Sequence, residues 1–484
     1  MNIKVISRNV GYALLVSALF MFLSILVSVA NGNDSALAAL MISFTITFTV
    51  GVFPFIFVRK SAGITLKDGY MIIALSWLLS FIFGMLPYAL WGGPFTIINA
   101  WFESVSGFTT TGSTILDNVE ALPNSLLFWR SSTHFIGGLG VVVFLLLIIP
   151  SSSQMRLRLT TLELSSLSKR EYRSGANKTV YIFTYVYFGL TAASFLLYVM
   201  AGMSPFDAIN HAMSVVATGG FSTRNASIGA YDSITIDLIT MLFMVLSSVH
   251  FGMIFVAVVT RSLKSFKNEI FKFYLSMMVV AGVIVSISIK AHGFEEAWGR
   301  SFLSGFFHVM SFASTTGFSI ADNSSWPVLS DTILVLMGVC CGMAGSTTGG
   351  IKSDRMMFLC KEVKYQLRMV LHPASVKDIR VNGRVIRQND IAPHILYIAL
   401  YGLVVIISLA ACLTLDPDNN QSFTAILSSL GNVGLSVDQL GSIYSYNGEP
   451  SSLKFIYTLD MFLGRVEIYP ILAVVMMIFS RRNK

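Results

Sequence analysis

Four windows of this sequence, each centred on a glycine, fall into one register, and that register commits the chain to a fourfold internal repeat. With Gly112, Gly220, Gly317 and Gly434 superposed, a serine stands six residues before each (Ser106, Ser214, Ser311, Ser428) and a hydroxyl two residues after (Thr114, Ser222, Ser319, Ser436). Two residues before each glycine comes Thr110, Thr218, Thr315 or Asn432. Twelve before comes a small residue: Ala100, Ala208, Gly305 or Ser422. The glycines recur roughly every 100 residues, a spacing set by whole repeated units.

The solvent of those units follows from composition. Of 484 residues 54% are hydrophobic and 12% charged, far from the roughly 25% charged of soluble domains, so the chain reads as a membrane protein throughout. Apolar runs long enough to cross a core of about 30 Å lie near 10–30, 36–58, 70–91, 124–150, 180–201, 233–260, 271–290, 330–360, 394–415 and 453–480. The first run is longer than the roughly 7–15 residues of a signal-peptide core, so a retained helix is expected. All Lys and Arg except Arg130, Arg224, Lys290, Arg300, Lys454 and Arg465 fall at the N-terminus, in 59–67, 151–178, 261–272 and 352–387, and in the tail. The positive-inside rule makes that side cytoplasmic, with both termini on it. The net charge of +8 is then a topology signal, and no nucleic-acid partner is inferred from it.

Each glycine loop then lies between the two spans of its repeat, behind a helix-length approach segment: Phe95 to Gly107, Pro205 to Val215, Glu296 to Ser311 and Ser422 to Ser429. Such a half-helix ends near mid-membrane, and its C-terminal partial charge of about −0.5 favours a cation there. Irregular backbone survives at that depth only where it is buried in protein or lines a cavity, and rings of backbone carbonyls can replace an ion's hydration shell. One Thr-Thr-Gly is an ordinary turn; four in register are not.

Below the loops the second spans carry residues that a lipid-facing helix does not need. The third contains Gly342-Met-Ala-Gly-Ser-Thr-Thr-Gly-Gly350. Each helical glycine costs about 1 kcal/mol relative to alanine, so the span is expected to unwind into a movable constriction, or gate, built from Gly345, Ser346, Thr347, Thr348, Gly349, Gly350 and Lys352. Small-xxx-small helix packing is the alternative. Arg465 in the fourth repeat is read either as a positive barrier in the path or as a structural partner of Asp460, Glu467 or the carbonyls of the gate loop. The first and second repeats carry Gly137, Gly138 and Gly140, and His250 and Gly252, at similar distances.

The segments Thr-Thr-Thr-Gly-Ser (109–113), Thr-Gly-Gly-Phe-Ser (218–222), Ser-Thr-Thr-Gly-Phe-Ser (314–319) and Gly-Asn-Val-Gly-Leu-Ser (431–436) resemble the filters of the Trk/Ktr/HKT potassium transporter superfamily. The resemblance covers essentially the whole chain. It implies an all-α polytopic membrane protein: two extra N-terminal helices plus four helix–pore helix–loop–helix repeats around one ion pore, with about ten spans and four re-entrant loops. The units are 1–67, then repeats at 68–178, 179–264, 265–387 and 388–484. It also implies potassium uptake, with potassium as substrate and the only metal, no cofactor in the chain, and a filter of Thr110, Thr111, Gly112, Thr218, Gly219, Gly220, Thr315, Thr316, Gly317, Asn432, Val433 and Gly434. The fourth motif departs most from a threonine-glycine signature. The implied partners are a second copy in a homodimer and a cytosolic nucleotide-binding regulatory ring of the TrkA kind. The basic linkers at 151–178 and 352–387 suit that ring or anionic membrane lipid, and the cell (inner) membrane is the implied location. A symporter coupling sodium or protons to potassium shares this scaffold and stays open.

Enzyme readings are weaker. Gly345, Gly350, Lys352 and Ser353 nearly spell a phosphate loop, but Ile351 separates glycine from lysine where the motif needs them adjacent. His134, His211, His250 and His308 lack a repeated ligand spacing and read as packing histidines. An intramembrane enzyme on His134, His250 and Asp460 is the remote alternative. The cysteines Cys340, Cys341, Cys360 and Cys412 suggest neither disulfide nor metal site.

Overall fold

The first two apolar runs become helices α1 (Ile3–Ala30) and α2 (Leu37–Phe57) in a computed structural model that describes residues 2–58, 65–147, 176–295, 297–372, 378–386, 388–417, 422–435 and 445–482. Asp34, in the turn between them, accepts from the Ser28 hydroxyl at 2.7 Å and from the Ser125 hydroxyl at 2.8 Å, which bolts the pair to the first repeat.

Repeat one then runs α3 (Leu66–Gly84), α4 (Leu86–Trp91), the pore helix α5 (Ile97–Phe108) and α6 (Asn124–Leu147). The α3 start is a capping box of Thr65 and Asp68, which satisfies two otherwise orphaned amides. Repeat two is α7 (Ala176–Met200), the pore helix α8 (Pro205–Ala217), α9 (Ile234–Ser248) and α10 (Phe251–Thr260). Repeat three is α11 (Glu269–Ala291), the pore helix α12 (Trp298–Ala313), α13 (Val328–Val339) and α14 (Ser353–Leu371). Repeat four is α15 (Gln388–Leu415), the pore helix α16 (Ser422–Gly431), α17 (Ser451–Val466) and α18 (Ile468–Arg482). Every pore helix begins and ends within about two residues of its sequence expectation, the usual uncertainty of helix ends.

Three of the expected spans are interrupted, and of these only the break at 330–360 is anticipated by the sequence. At 233–260, α9 and α10 meet at a 104° bend. The Phe251 amide there donates to the Gly345 carbonyl at 3.0 Å, and His250 Nδ1 caps the Gly252 amide at 3.0 Å. At 330–360 the helix stops at Val339, and Cys340–Cys341 pairs in parallel with Ile351–Lys352 across the excursion between them. At 453–480 the break is Glu467, with φ 62°. By length and composition six described helices suffice to cross a membrane, and the bent pair would make a seventh.

The repeats close into a ring. Pore helix α8 packs on α6 of repeat one, α12 on α9 of repeat two, α16 on α13 of repeat three, and α5 on α17 of repeat four. One large buried cluster is dominated by repeats two and three, a second by repeats one and four with α1 and α2. The pore-helix ends meet between them.

Candidate functional site

The serine and glycine register has a direct structural meaning. At each pore-helix end, the residue two before the glycine turns left-handed: φ is 52° at Thr110, 56° at Thr218, 52° at Thr315 and 53° at Asn432. The next amide (Thr111, Gly219, Thr316, Val433) donates back to the carbonyl of the register serine at 2.9 Å in all four repeats. The left-handed residue itself donates to the residue after that serine, at 3.0 to 3.2 Å. This pair of bonds is the Schellman helix stop. It turns the chain away from the helix axis at the same point in each repeat. Three register serines then clasp the returning limb: Ser106, Ser311 and Ser428 donate to the carbonyls of Ser113, Phe318 and Leu435 at 2.6 Å each. Ser214 pairs instead with His134 Nδ1 at 3.1 Å.

The glycines are required twice over. Their φ values of 87°, 85°, 76° and 82° lie where a side chain is strained. A Cβ would also collide with backbone of the next loop: from Gly112 with the Gly219 carbonyl, from Gly220 with Thr316, from Gly317 with Val433, and from Gly434 with Thr111. The contacts run one to two, two to three, three to four and four to one. Eight of the twelve expected loop residues (Thr111, Gly112, Gly219, Gly220, Thr316, Gly317, Val433 and Gly434) therefore meet in a closed rim, and all four glycines line one cavity of ≈ 80 Å³. The divergent fourth motif fits the rim because the Asn432 side-chain amide donates to Thr111 Oγ1 at 3.0 Å and to the Met461 carbonyl at 2.8 Å. Ser436 lies outside the described residues.

Nine residues before the glycines stands a second tier that the sequence reading did not align: Glu103, His211, His308 and Ala425. Glu103 accepts from the Ile115 amide at 3.1 Å, His211 Nε2 pairs with the Ser222 hydroxyl at 2.9 Å, and His308 Nε2 with the Ala321 carbonyl at 3.1 Å. In three repeats a polar side chain thus ties pore helix to return limb. Both ring nitrogens of His211 and of His308 have hydrogen-bond partners within the protein.

Against the rim sits the unwound third span, with every residue from Gly342 to Gly350 buried. The Gly349 amide donates to Thr315 Oγ1 at 3.0 Å, so this loop touches the rim itself. Thr347 Oγ1 donates to the Val216 carbonyl at 3.0 Å, and the Met343 amide to the Ser248 carbonyl at 2.8 Å. The latter carbonyl is freed by the bend after α9. Inside the loop, Ser346 and Thr348 hydroxyls pair at 2.8 Å. Lys352 Nζ donates to the Thr348 carbonyl and to its hydroxyl. Gly345 (φ 80°) and Gly350 (φ 57°) make the turns. Freed backbone groups find partners within protein, as burial at membrane depth demands.

Among the structural partners expected for Arg465, it meets the carbonyls of the gate loop. It donates to the Thr347 carbonyl of this loop at 2.5 Å and to the Gly137 carbonyl of α6 at 3.1 Å. Asp460 accepts from Ser408 at 2.7 Å, and Glu467 pairs with Arg355 at 2.7 Å. Gly137 itself sits where a Cβ would strike the Phe108 carbonyl. His134, His250 and Asp460 serve separate local contacts.

A ring of re-entrant loops around one cavity, carried by apolar helices, defines a multi-pass membrane transport protein. The TrkH family model, described as cation transport protein, matches residues 36–277 and 295–482. The chain is 31% identical to the Trk system potassium uptake protein TrkH of Halomonas elongata across the whole of both chains. It is 29% identical to TrkH of Escherichia coli over 98% of each chain, and 29% identical to the potassium uptake protein TrkG of the same organism. Its fold matches the crystal structure of the potassium transporter TrkH from Vibrio parahaemolyticus with a TM-score of 0.88 and 27% identity, over 98% of each chain. The chain belongs to the TrkH family of cation transport proteins. Its relatives are potassium uptake proteins, and the enzyme alternative falls with this membership.

Proposed function

We propose that this chain is the pore-forming subunit of a potassium uptake system, in which the ion passes through the rim of four glycine loops and is held back by the Gly342–Gly350 loop. The observation that carries the reading is the cyclic contact of the four glycines with the carbonyl-bearing residues of the next loop. It supports a ring of backbone oxygens from all four repeats, which can substitute for water around a cation. The helix ends that deliver them add partial negative charge. The gate reading is supported by the buried loop's bonds to Thr315 and Arg465. Because α14 begins directly after it, a pull on α14 retracts the loop. A cytosolic nucleotide-binding ring supplies that pull in this account, since the names of the relatives speak of a Trk system. The protein works as a homodimer in the cell (inner) membrane, with ten spans and both termini cytoplasmic. Vesicles bearing the purified chain, with and without the nucleotide-binding ring, test this through rubidium or potassium uptake. The expected result is ring-dependent uptake of potassium over sodium. Uptake indifferent to the ring removes the regulator, and uptake driven only by a sodium or proton gradient replaces the channel with a symporter.

A further inference from the structure

The −9 tier is most developed in repeat one, where it includes an ion pair. Glu103 of α5 and Arg130 of α6 meet at 2.7 Å, with side chains 0% and 2% exposed. The carboxylate holds loop one, accepting from the Thr114 hydroxyl at 3.0 and 3.1 Å and from the Ile115 amide at 3.1 Å. The guanidinium reaches the other way. Its Nη1 donates to the Ser222 carbonyl at 3.2 Å, Nη2 donates to the Thr114 hydroxyl at 3.3 Å, and the group lies 4.0 Å over the Phe221 ring. Phe221 and Ser222 directly follow Gly220, so the pair spans two loops. Arg130 also lines the ≈ 80 Å³ cavity shared by the four glycines.

Desolvating two charges is costly, and an apolar pair of similar volume is often as stable. Packing alone therefore does not account for ions here, whereas bridging loops with a planar, multi-donor group does. We propose that Arg130, oriented by Glu103, is a positioning residue that fixes loop one against loop two, and that the two charges cancel at the mouth of the pathway. The proposal rests on the potassium-pathway reading above. Removing the carboxylate leaves a bare cation beside the cavity, which repels an entering ion. Removing the guanidinium leaves a bare anion, which attracts it. The two losses act with opposite sign, unlike two losses of packing.

The test measures apparent KM for potassium and the potassium-to-sodium permeability ratio of the full chain in vesicles. Glu103→Gln is expected to raise KM by about tenfold and Arg130→Gln to lower it. Arg130→Lys keeps the charge but loses the fork, so KM stays near wild type while the permeability ratio falls at least about threefold. Glutamine variants that move KM in the same direction overturn the proposal, as does Arg130→Lys with an intact ratio. If neither glutamine variant reaches the membrane, Arg130→Lys decides alone by its ratio. Wild-type protein that carries no potassium overturns the pathway reading instead, and that outcome is separate.

Discussion

At the glycine loops the four repeats agree in the helix stop and the seam: one left-handed residue, one amide bonded to the register serine at 2.9 Å, one glycine against the next loop. In the second spans that follow, no two repeats agree. Repeat one keeps α6 helical through its glycines, repeat two bends by 104°, repeat three unwinds from Gly342 to Gly350, and repeat four breaks at Glu467 after supplying Arg465. The contrast follows from what each region contacts. A rim that offers carbonyls to one central ion gains from equivalent geometry on every side. The proposed gate needs only one moving part, which leaves the second spans of the other three repeats free to differ.

The comparison is broken most severely at the rim. Serine at Gly112, Gly220, Gly317 or Gly434 adds a Cβ to a left-handed position costing roughly 1–2 kcal/mol, and drives it into the next loop's backbone. All four variants are expected to lose potassium-over-sodium preference by at least about tenfold, read as permeability ratios in vesicles. If one variant keeps its preference while the others lose it, the rim is not equivalent.

Deleting Ser346 to Gly349 comes next and affects one repeat only. It removes the bonds to Thr315, Val216 and Arg465, and potassium is expected to leak without the regulator while the permeability ratio stays close to wild type. Tight closure in folded, inserted protein would remove the gate. Arg465→Ala is a milder version, since it frees the loop from one side and leaves the Thr347 and Gly137 carbonyls without that donor. Basal potassium flux is expected to rise a few-fold, with folded-state stability lower by about 1–3 kcal/mol. Reduced flux would make Arg465 a scaffold residue only.

The smallest effects sharpen the comparison within the rim. Ser106→Ala, Ser311→Ala and Ser428→Ala each remove a bond worth about 1 kcal/mol and should lower thermal stability and selectivity slightly and alike. Ser214→Ala breaks a contact to His134 instead. Its limb has no such clasp to lose, so selectivity should hold.

These elements were unequally legible in the sequence. The pore helices, the four-way register and the unwinding at Gly342–Gly350 are written in local chemistry, as glycines, serines and small residues at fixed offsets. The bend after Ser248 is not, because Val249 and His250 carry no breaker. It exists because the Gly345 carbonyl and the Met343 amide supply bonds that a straight helix would have made internally. The tier at Glu103, His211 and His308 was readable in principle, being in register, but its members differ in chemistry and share only the task of tying helix to limb. The partner of Arg465 was one of three candidates in sequence. Only tertiary packing, which brings Thr347 and Gly137 to one guanidinium, selects it.

The most direct test of a single fourfold potassium pathway is the reversal potential of the reconstituted chain with its loop opened by the Ser346 to Gly349 deletion, under independently varied potassium, sodium and proton gradients. The account predicts a potential that follows the potassium gradient and shifts little with the other two. A potential that follows sodium or protons equally well would contradict it.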